Sequence, residues 1–407
     1  MKKTRQKVLL SQLTPGMYVV EIIRKSDNLK VKSEGYIVHK STLKKLADSG
    51  IDRVIVDPSR EKKAEKIDRI LPIEKETPIE KEKSKETTTK SNISLDAEMS
   101  KAKTLYKDAK SLQQKILDAI TKGKVIDVKE VKSNTDAMVD SIFRNQDALA
   151  CMSRLRIKDE YLVEHSLNVS ILMTIFAKHL KVDKSVIEQL ALGAFLHDIG
   201  KVLIPDNILN KKGKFTEQEY EQMKLHVSLG VNILAETPDI SAIAMGIVQQ
   251  HHERLDGSGY PKQITSDDIT QYGRMIAIVD TYDAMTADRV YKSAMHPIKA
   301  FKILLNEAET GYDETLVEQF IQCIGVYPVG TLVKLNSGKL GLISQLNKSK
   351  PLTPFVRVFY NTRLNQAIPM IELDLSQSKH KDQIDCCIKP EDFKLDLLKF
   401  FQRAFWN

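Results

Sequence analysis

The chain has 407 residues, enough for two or three domains. Hydrophobic residues make up 42% and charged residues 29%, an ordinary balance for a globular fold, and no stretch reaches the roughly 18 apolar residues of a membrane span. The formal net charge of +8 admits an anionic partner, but no nucleic-acid-binding motif accompanies it, which sets polymer binding aside.

The first seven residues are basic, but only Val8-Leu9-Leu10 follows, too short for the apolar core of a signal peptide, so the expected location is the cytoplasm. Residues 8–57 read as a small α/β module. Strand formers fill 17–23 after the Pro15-Gly16 turn, and 35–38 is a second short strand. Ser41 caps a helix with apolar Leu43, Leu46 and Ala47, ended by Gly50, and alternating 51–56 is a further strand. Residues 58–100 have no aromatics, a dense mix of Lys and Glu, and a repeated Pro-Ile-Glu-Lys-Glu at 72–76 and 78–82. Such a segment buries too little apolar area to offset its ordering entropy, so it reads as a flexible linker. Leu105, Ala109, Leu112, Ile116 and Ile120 mark an amphipathic helix that either packs on the next domain or forms a homodimer seam, with packing the favoured reading.

From there to residue 326 the pattern is helical. Val186, Ile187, Leu190, Ala194 and Leu196 lead into His197. Thr216-Glu217-Gln218-Glu219 is a capping box ahead of His226. Pro238 opens the helix expected to end at His251-His252, Gly257 and Gly259 allow a tight backbone, and Ile276, Ile278 and Val279 line a helix up to Asp280. Residues 327–407 change character: 330–335, 340–343 and 355–360 read as strands of a small β appendage, with a last helix over 390–400. Cys151, Cys323, Cys386 and Cys387 show no C-x-x-C spacing and fit a reducing compartment. The vicinal Cys386-Cys387 pair is either inert or redox-active, the former favoured.

Five of the nine histidines, His165, His197, His226, His251 and His252, gather with Asp198 and Asp280 in this helical stretch. Imidazole and carboxylate bind borderline to hard divalent metals, and the set is too large for one ion. Alone, His165 or His226 on an apolar helix would be a satisfied core histidine; the ordered set favours ligands, with His251 the weaker member of its pair. Two metals roughly 3.5–4 Å apart supply hydroxide near neutral pH and neutralise phosphoryl charge. Asp198 can bridge them, one oxygen to each. Since adjacent helical residues diverge by about 100°, a site shared by His197 and Asp198 has to lie near a helix end or use the reach of Asp198. His165 and Asp280 then complete one shell, and His226, His251 and His252 the other. Lys201 suits a phosphate oxygen, and Arg289 a phosphate or a guanine edge. Asp283, on the Asp280 face, either orients a ligand histidine or contacts guanine. His39, His179, His296 and His380 match no motif.

In the order H, HD-x-G-K, H, HH-E-x-x-D-G-x-G-Y-P, D-x-x-D-A-M-T, residues 159–308 resemble the HD-GYP family of metal-dependent phosphodiesterases. The resemblance implies a mainly α protein whose helical HD-superfamily domain (101–326) lies between the small N-terminal α/β domain (1–57, then the 58–100 linker) and the C-terminal β appendage. It implies hydrolysis of the bacterial second messenger cyclic di-GMP to pGpG, GMP or both. The implied metal ligands are His165, His197, Asp198, His226, His251, His252 and Asp280, holding two divalent transition metal ions, iron or manganese. Asp198 and Lys201 are the catalytic residues, Lys201 on the scissile phosphate. Tyr260, Arg289 and Lys292 lie near the nucleotide, although Tyr260 can also serve as packing for the glycine turn and Lys292 as a solvated lysine. Family members with a third metal carry Glu four residues before the first histidine; Tyr161 stands there, with Glu160 and Glu164 out of register, so two metals are expected. Arg289-Val290-Tyr291 replaces the usual Arg-Pro-Tyr. Leu13-Thr14-Pro15-Gly16-Met17-Tyr18-Val19 resembles the N-terminal domain often found in front of HD-GYP domains.

Two further readings compete. One is a hydrolase for another cyclic dinucleotide or a nucleotide phosphate. The other is a non-catalytic cyclic di-GMP receptor, which would be expected to have lost ligands. Candidate protein partners are a second copy of the chain and signalling proteins such as diguanylate cyclases.

Overall fold

The computed structural model describes residues 6–9, 12–13, 17–24, 30–36, 51–58, 93–154, 161–287, 294–308, 310–347, 349–377 and 382–393. The chain divides into two compact units, 1–88 and 89–407. No helix among the described residues is long and apolar enough to cross a membrane.

The first unit holds an antiparallel sheet of order β1-β4-β2-β3, from Gln6–Leu9 (β1), Tyr18–Arg24 (β2), Lys30–Tyr36 (β3) and Ile51–Val56 (β4). Alternation in β4 turns Val54 and Val56 inward while Arg53 stays exposed. Those two valines, Leu13 and Val19 form a small core, with Val8 and Met17 packed against it. β3 ends at Tyr36 rather than beginning at 35, and β1 carries no expectation from the sequence. The helix expected after Ser41 lies outside the described residues.

The second unit begins with α1, Leu95–Thr121, whose N-cap Ser94 accepts from the amide of Ala97 at 3.3 Å. The boundary drawn at residue 100 is therefore late: 95–100 are helical and Met99 is fully buried. The rest of the expected linker, 59–92, lies outside the described residues. Met99, Ala102, Tyr106, Ala109, Leu112, Ile116 and Ile120 face the core at helical spacing, so α1 packs on its own chain. Its main neighbour is α2, Val128–Met152, interrupted at Asn145, where the backbone is extended (φ −157°, ψ 104°). The Asn145 amide donates to the Ile93 carbonyl at 2.9 Å, and its oxygen accepts from the Asp147 amide at 3.0 Å, restarting the helix.

α3, Tyr161–His179, is buried on all sides from Val163 to Ala177. Around it stand α1, α2, α4 (Lys184–Leu196), α8 (Gln271–Thr286) and α10 (Glu314–Ile324). The Phe176 and Phe320 rings meet edge-on at 5.2 Å. Between α4 and α8 come a 3₁₀ turn (Ile199–Leu203), α5 (Asp206–Leu209), α6 (Glu217–Ala235) and α7 (Ala242–Gln250); α9 (Pro297–Asn306) precedes α10. The Thr216 capping box forms, with Thr216 accepting from the Glu219 amide at 3.3 Å and Glu219 from the Thr216 amide at 2.7 Å. α7 begins after Ser241, not Pro238: the Ser241 hydroxyl accepts from the Ala244 amide, a cap that proline lacks the side chain to make. α8 continues past Asp280 to Thr286.

The C-terminal sheet is antiparallel, of order β8-β7-β6-β5-β9, from Leu332–Leu335 (β5), Lys339–Gln345 (β6), Phe355–Asn361 (β7), Gln366–Asp374 (β8) and Ile384–Cys387 (β9). It is built into the helical body: Val333, Leu335, Leu340, Ile343, Val356 and Val358 belong to the same apolar core as the helices. Arg357 of β7 binds Asp96 of α1 at 2.6 and 2.9 Å and Glu372 of β8 at 2.8 Å. Cys386 and Cys387 are consecutive in β9 and so point to opposite faces. Burial pushes the Cys387 thiol up to about 11, which favours the inert reading. Of the last expected helix, Pro390–Phe393 is a 3₁₀ turn; 394–407 lie outside the described residues.

One buried charge joins α1 to α2. Glu98, 2% exposed, accepts from Ser141 at 2.8 Å and from Arg144 at 2.7 and 2.9 Å. Burial would raise its pKa, but Arg144 and Ser141 outweigh that and lower it. Replacing Glu98 with Ala removes the carboxylate that pairs with the Arg144 guanidinium. It should cost on the order of 2–3 kcal/mol, less than for a fully buried pair because Arg144 keeps some solvent. Urea unfolding of the variant checks this; an unchanged midpoint would show that the pair is dispensable.

Candidate metal centre

α4 stops at Leu196, His197 caps it, and Asp198 leaves helical geometry (φ −104°, ψ 8°). Two neighbours that would diverge on a continuous helix can therefore serve one site. His165 comes from α3, His226 from α6, His251 from the end of α7, His252 next to it, and Asp280 from α8. All but His252 are at most 5% exposed.

The seven side chains fall into two groups: Asp198, His226, His251 and His252; and His165, His197 and Asp280. Within each group one ligand atom per residue lies within 4.8 Å of the others. Asp198 stands between them. Its Oδ2 is 3.3 Å from His197 Nε2 and 3.6 Å from His165 Nε2, while its Oδ1 is 3.4 Å from His226 Nε2 and 3.8 Å from His251 Nε2. One oxygen thus faces each group, the arrangement a bridging carboxylate needs.

The tautomers agree with ligation. Nδ1–H of His197 donates to the Ala194 carbonyl at 2.7 Å, that of His226 to Met223 at 2.7 Å, and that of His251 to Val248 at 2.8 Å. Each is the carbonyl three residues back, and each leaves the Nε2 lone pair aimed into the site. His165 Nδ1–H donates to Asp283 Oδ2 at 2.7 Å, and its Nε2 faces Asp280 Oδ1 at 2.9 Å. Two consequences are unfavourable without a cation. His226 Nε2 and His251 Nε2, both lone-pair bearing, are 3.3 Å apart. His197 Nε2 and Asp198 Oδ1 are buried with no hydrogen-bond partner. A divalent ion in each group removes both problems, so the residues fit a binuclear metal site.

The electrostatics point the same way. Burial, then the positive charge of Lys201, lowers His226 to about 4. Burial and neighbouring imidazoles hold His251 and His252 well below the ordinary value, leaving them neutral as ligation requires. Burial would raise Asp198, but His197 and Lys201 outweigh it and hold it well below the carboxylate range. Asp280 behaves likewise, through His165 and His252. His165 is the exception: burial opposes its charge, but the hydrogen bonds to Asp280 and Asp283 prevail and raise it.

Close backbone packing sets these distances. A Cβ at Gly200 would collide with the His226 carbonyl oxygen and lie 2.6 Å from the Gly230 amide, so glycine lets the 3₁₀ turn press on α6. A Cβ at Gly259 would lie 2.5 Å from Glu253 Cα and 2.6 Å from the His252 carbonyl oxygen. Glu253, 1% exposed, is in the histidine motif, yet the motif alone assigns it no role. It accepts from the amides of Lys262 at 2.8 Å and Ile264 at 3.2 Å, folding the loop back. Tyr260 then lies over the His252 ring, centroids 4.5 Å apart and 32° from parallel.

Lys201 is at the site, with Nζ 2.5 Å from Asp198 Oδ2. Asp283 is fully buried behind His165, where its Oδ2 accepts from the His165 ring at 2.7 Å. Glu164 is turned to α1, where it pairs with Lys110 at 2.7 Å. Arg289, Lys292 and Glu160 lie outside the described residues.

Residues 150–316 match the HD domain family, and residues 5–131 match a domain of unknown function, DUF3391. The chain is 30% identical over 386 residues, 93% of its own length and 91% of the relative's, to a cyclic di-GMP phosphodiesterase of Pseudomonas aeruginosa. Over 128 residues, 31% of this chain and 24% of the relative, it is 41% identical to a 3'3'-cGAMP-specific phosphodiesterase of Vibrio cholerae. A solved HDG"Y"P protein from Bdellovibrio bacteriovorus is 16% identical, with a TM-score of 0.47 over 78% of this chain and 98% of that one.

Asp283→Asn keeps an acceptor for His165 but removes its charge. Metal affinity should fall about 10–100-fold with the fold intact, checked by metal analysis after dialysis alongside circular dichroism. Unchanged affinity would discard the orienting role.

Proposed function

The chain belongs to the HD-GYP family of metal-dependent phosphodiesterases, and from that premise we propose that it hydrolyses cyclic di-GMP at the two groups joined by Asp198. The observation that carries the reading is the end-to-end likeness to a cyclic di-GMP phosphodiesterase in a chain that brings all seven candidate ligands into two groups, six of them buried. In this reading the ions would be held by His165, His197 and Asp280 on one side and His226, His251 and His252 on the other, with Asp198 between the two groups. Five imidazoles and two carboxylates without thiolate suit iron or manganese. When bound, the two ions supply Lewis acidity and an activated water near neutral pH.

The chain's own residues do the rest. Asp198 holds the two halves of the site in register. Lys201, partly exposed and already beside Asp198, can swing its ammonium to a phosphate oxygen and neutralise charge that grows in the transition state. Burial pushes the Tyr260 hydroxyl up, so it stays a neutral donor at the mouth of the site. The likeness to a 3'3'-cGAMP-specific enzyme supports a second reading, in which the preferred cyclic dinucleotide differs while the chemistry is the same.

Hydrolysis of a panel of cyclic dinucleotides by protein purified anaerobically, with metal content measured on the same sample, tests the reading. About two transition metals per chain and turnover of cyclic di-GMP are expected. Asp198→Ala should remove metal and activity together; full activity in that variant would refute the site. Lys201→Ala should keep both metals while slowing turnover about 100-fold. A loss of metal in this variant would make Lys201 a structural partner of Asp198 instead.

A further inference from the structure

We propose that Tyr220 and Lys224, on α6 beside Tyr260, form a guanine-reading subsite; the inference rests on the cyclic dinucleotide reading and names the part of the site that selects the base. A row of rings leads out of the metal groups. The His251 and His252 centroids are 4.2 Å apart, His252 and Tyr260 4.5 Å, and Tyr260 and Tyr220 6.3 Å at 80°. The row starts at fully buried His251 and ends at Tyr220, 45% exposed. Lys224 Nζ lies 4.8 Å from the Tyr220 ring centre and 5.8 Å from that of Tyr260, within cation–π reach of both. Tyr220 and Lys224 are four residues apart and share a face of α6, while His226 on the same helix enters the metal group. One helix thus fixes the base-facing pair relative to the metal ligands.

The chemistry separates two tasks. An aromatic surface accepts any nucleobase, because every base has a π-face. An ammonium distinguishes them. Guanine offers O6 and N7, two adjacent acceptors, whereas adenine offers N7 beside an amino donor. Lys224 is held by Glu221 at 2.6 Å, and that carboxylate is 63% exposed. An exposed ion pair of this kind is weak, so the ammonium can leave it for guanine. The phosphates are served by Lys201 and the metal groups, deeper in the site.

The test is the affinity of the full chain, metal-loaded and chelator-treated, for cyclic di-GMP and cyclic di-AMP by titration calorimetry. The two ligands carry the same charge, so their ratio isolates the base. The wild type should prefer guanine. Lys224→Met should cut that preference about 10-fold, through cyclic di-GMP, and Lys224→Arg should retain it. Tyr220→Ala should weaken both ligands about 10-fold and leave the ratio. Equal or undetectable affinity of the wild type for the two ligands overturns the subsite. So does a Lys224→Met variant that weakens both alike, which would make the ammonium a phosphate contact. A wild type that prefers cyclic di-GMP and never cleaves it would keep the subsite and remove the phosphodiesterase reading.

Discussion

Everything in the helical body is arranged around the crowding of six other candidate ligand groups about Asp198. Neutral imidazoles with converging lone pairs and two buried carboxylates are a costly thing to enclose: polar atoms out of water without partners destabilise a fold. The protein limits that cost by satisfying the outer side of four of the five rings. His197, His226 and His251 bond the carbonyl three residues back, and His165 bonds Asp283. What remains unsatisfied points inward, at His197 Nε2 and Asp198 Oδ1. The unsatisfied polarity is concentrated where a cation would relieve it, so the fold and a bound ion would support one another.

That convergence needs backbones closer than side chains normally allow. Gly200 brings the turn after Asp198 onto the backbone of His226, and Gly259 brings the loop after His252 onto Glu253. Glu253 then anchors the loop through two amides. A histidine motif that reads as a run of ligands is in fact two devices: the histidines enter the site, and the glutamate holds the loop that places Tyr260 over it.

The gathering of these histidines and aspartates was legible because its chemistry is carried by residue type and order, and the capping box at Thr216 because local hydrogen bonding suffices to define it. Boundaries were less legible. Pro238 is a plausible helix opener by propensity, but a serine three residues later has the hydroxyl that caps. The burial of Asp283 against His165 was not legible, because it depends on how α8 lies against α3. The C-terminal strands were visible from their composition, but not their union with the helical core, since nothing local to β6 or β7 says which face the helices cover. Tyr220 and Lys224 carry no expectation from the sequence, because only the folded loop brings Tyr260 beside them.

The packing also cuts across the sequence families. The match to the domain of unknown function runs to residue 131, but α1, within it, is a wall of the helical body. Lys110 of α1 pairs with Glu164, the residue before His165, and Tyr106 bonds Asn168 one turn beyond at 3.0 Å. Asp96 at the other end of α1 holds the C-terminal sheet through Arg357. α1 is thus the element on which the ligand-bearing α3, the kinked α2 and the sheet all rest. A division of this chain that follows sequence families would separate His165 from the helix that supports it; a division that follows buried contacts falls before Ser94.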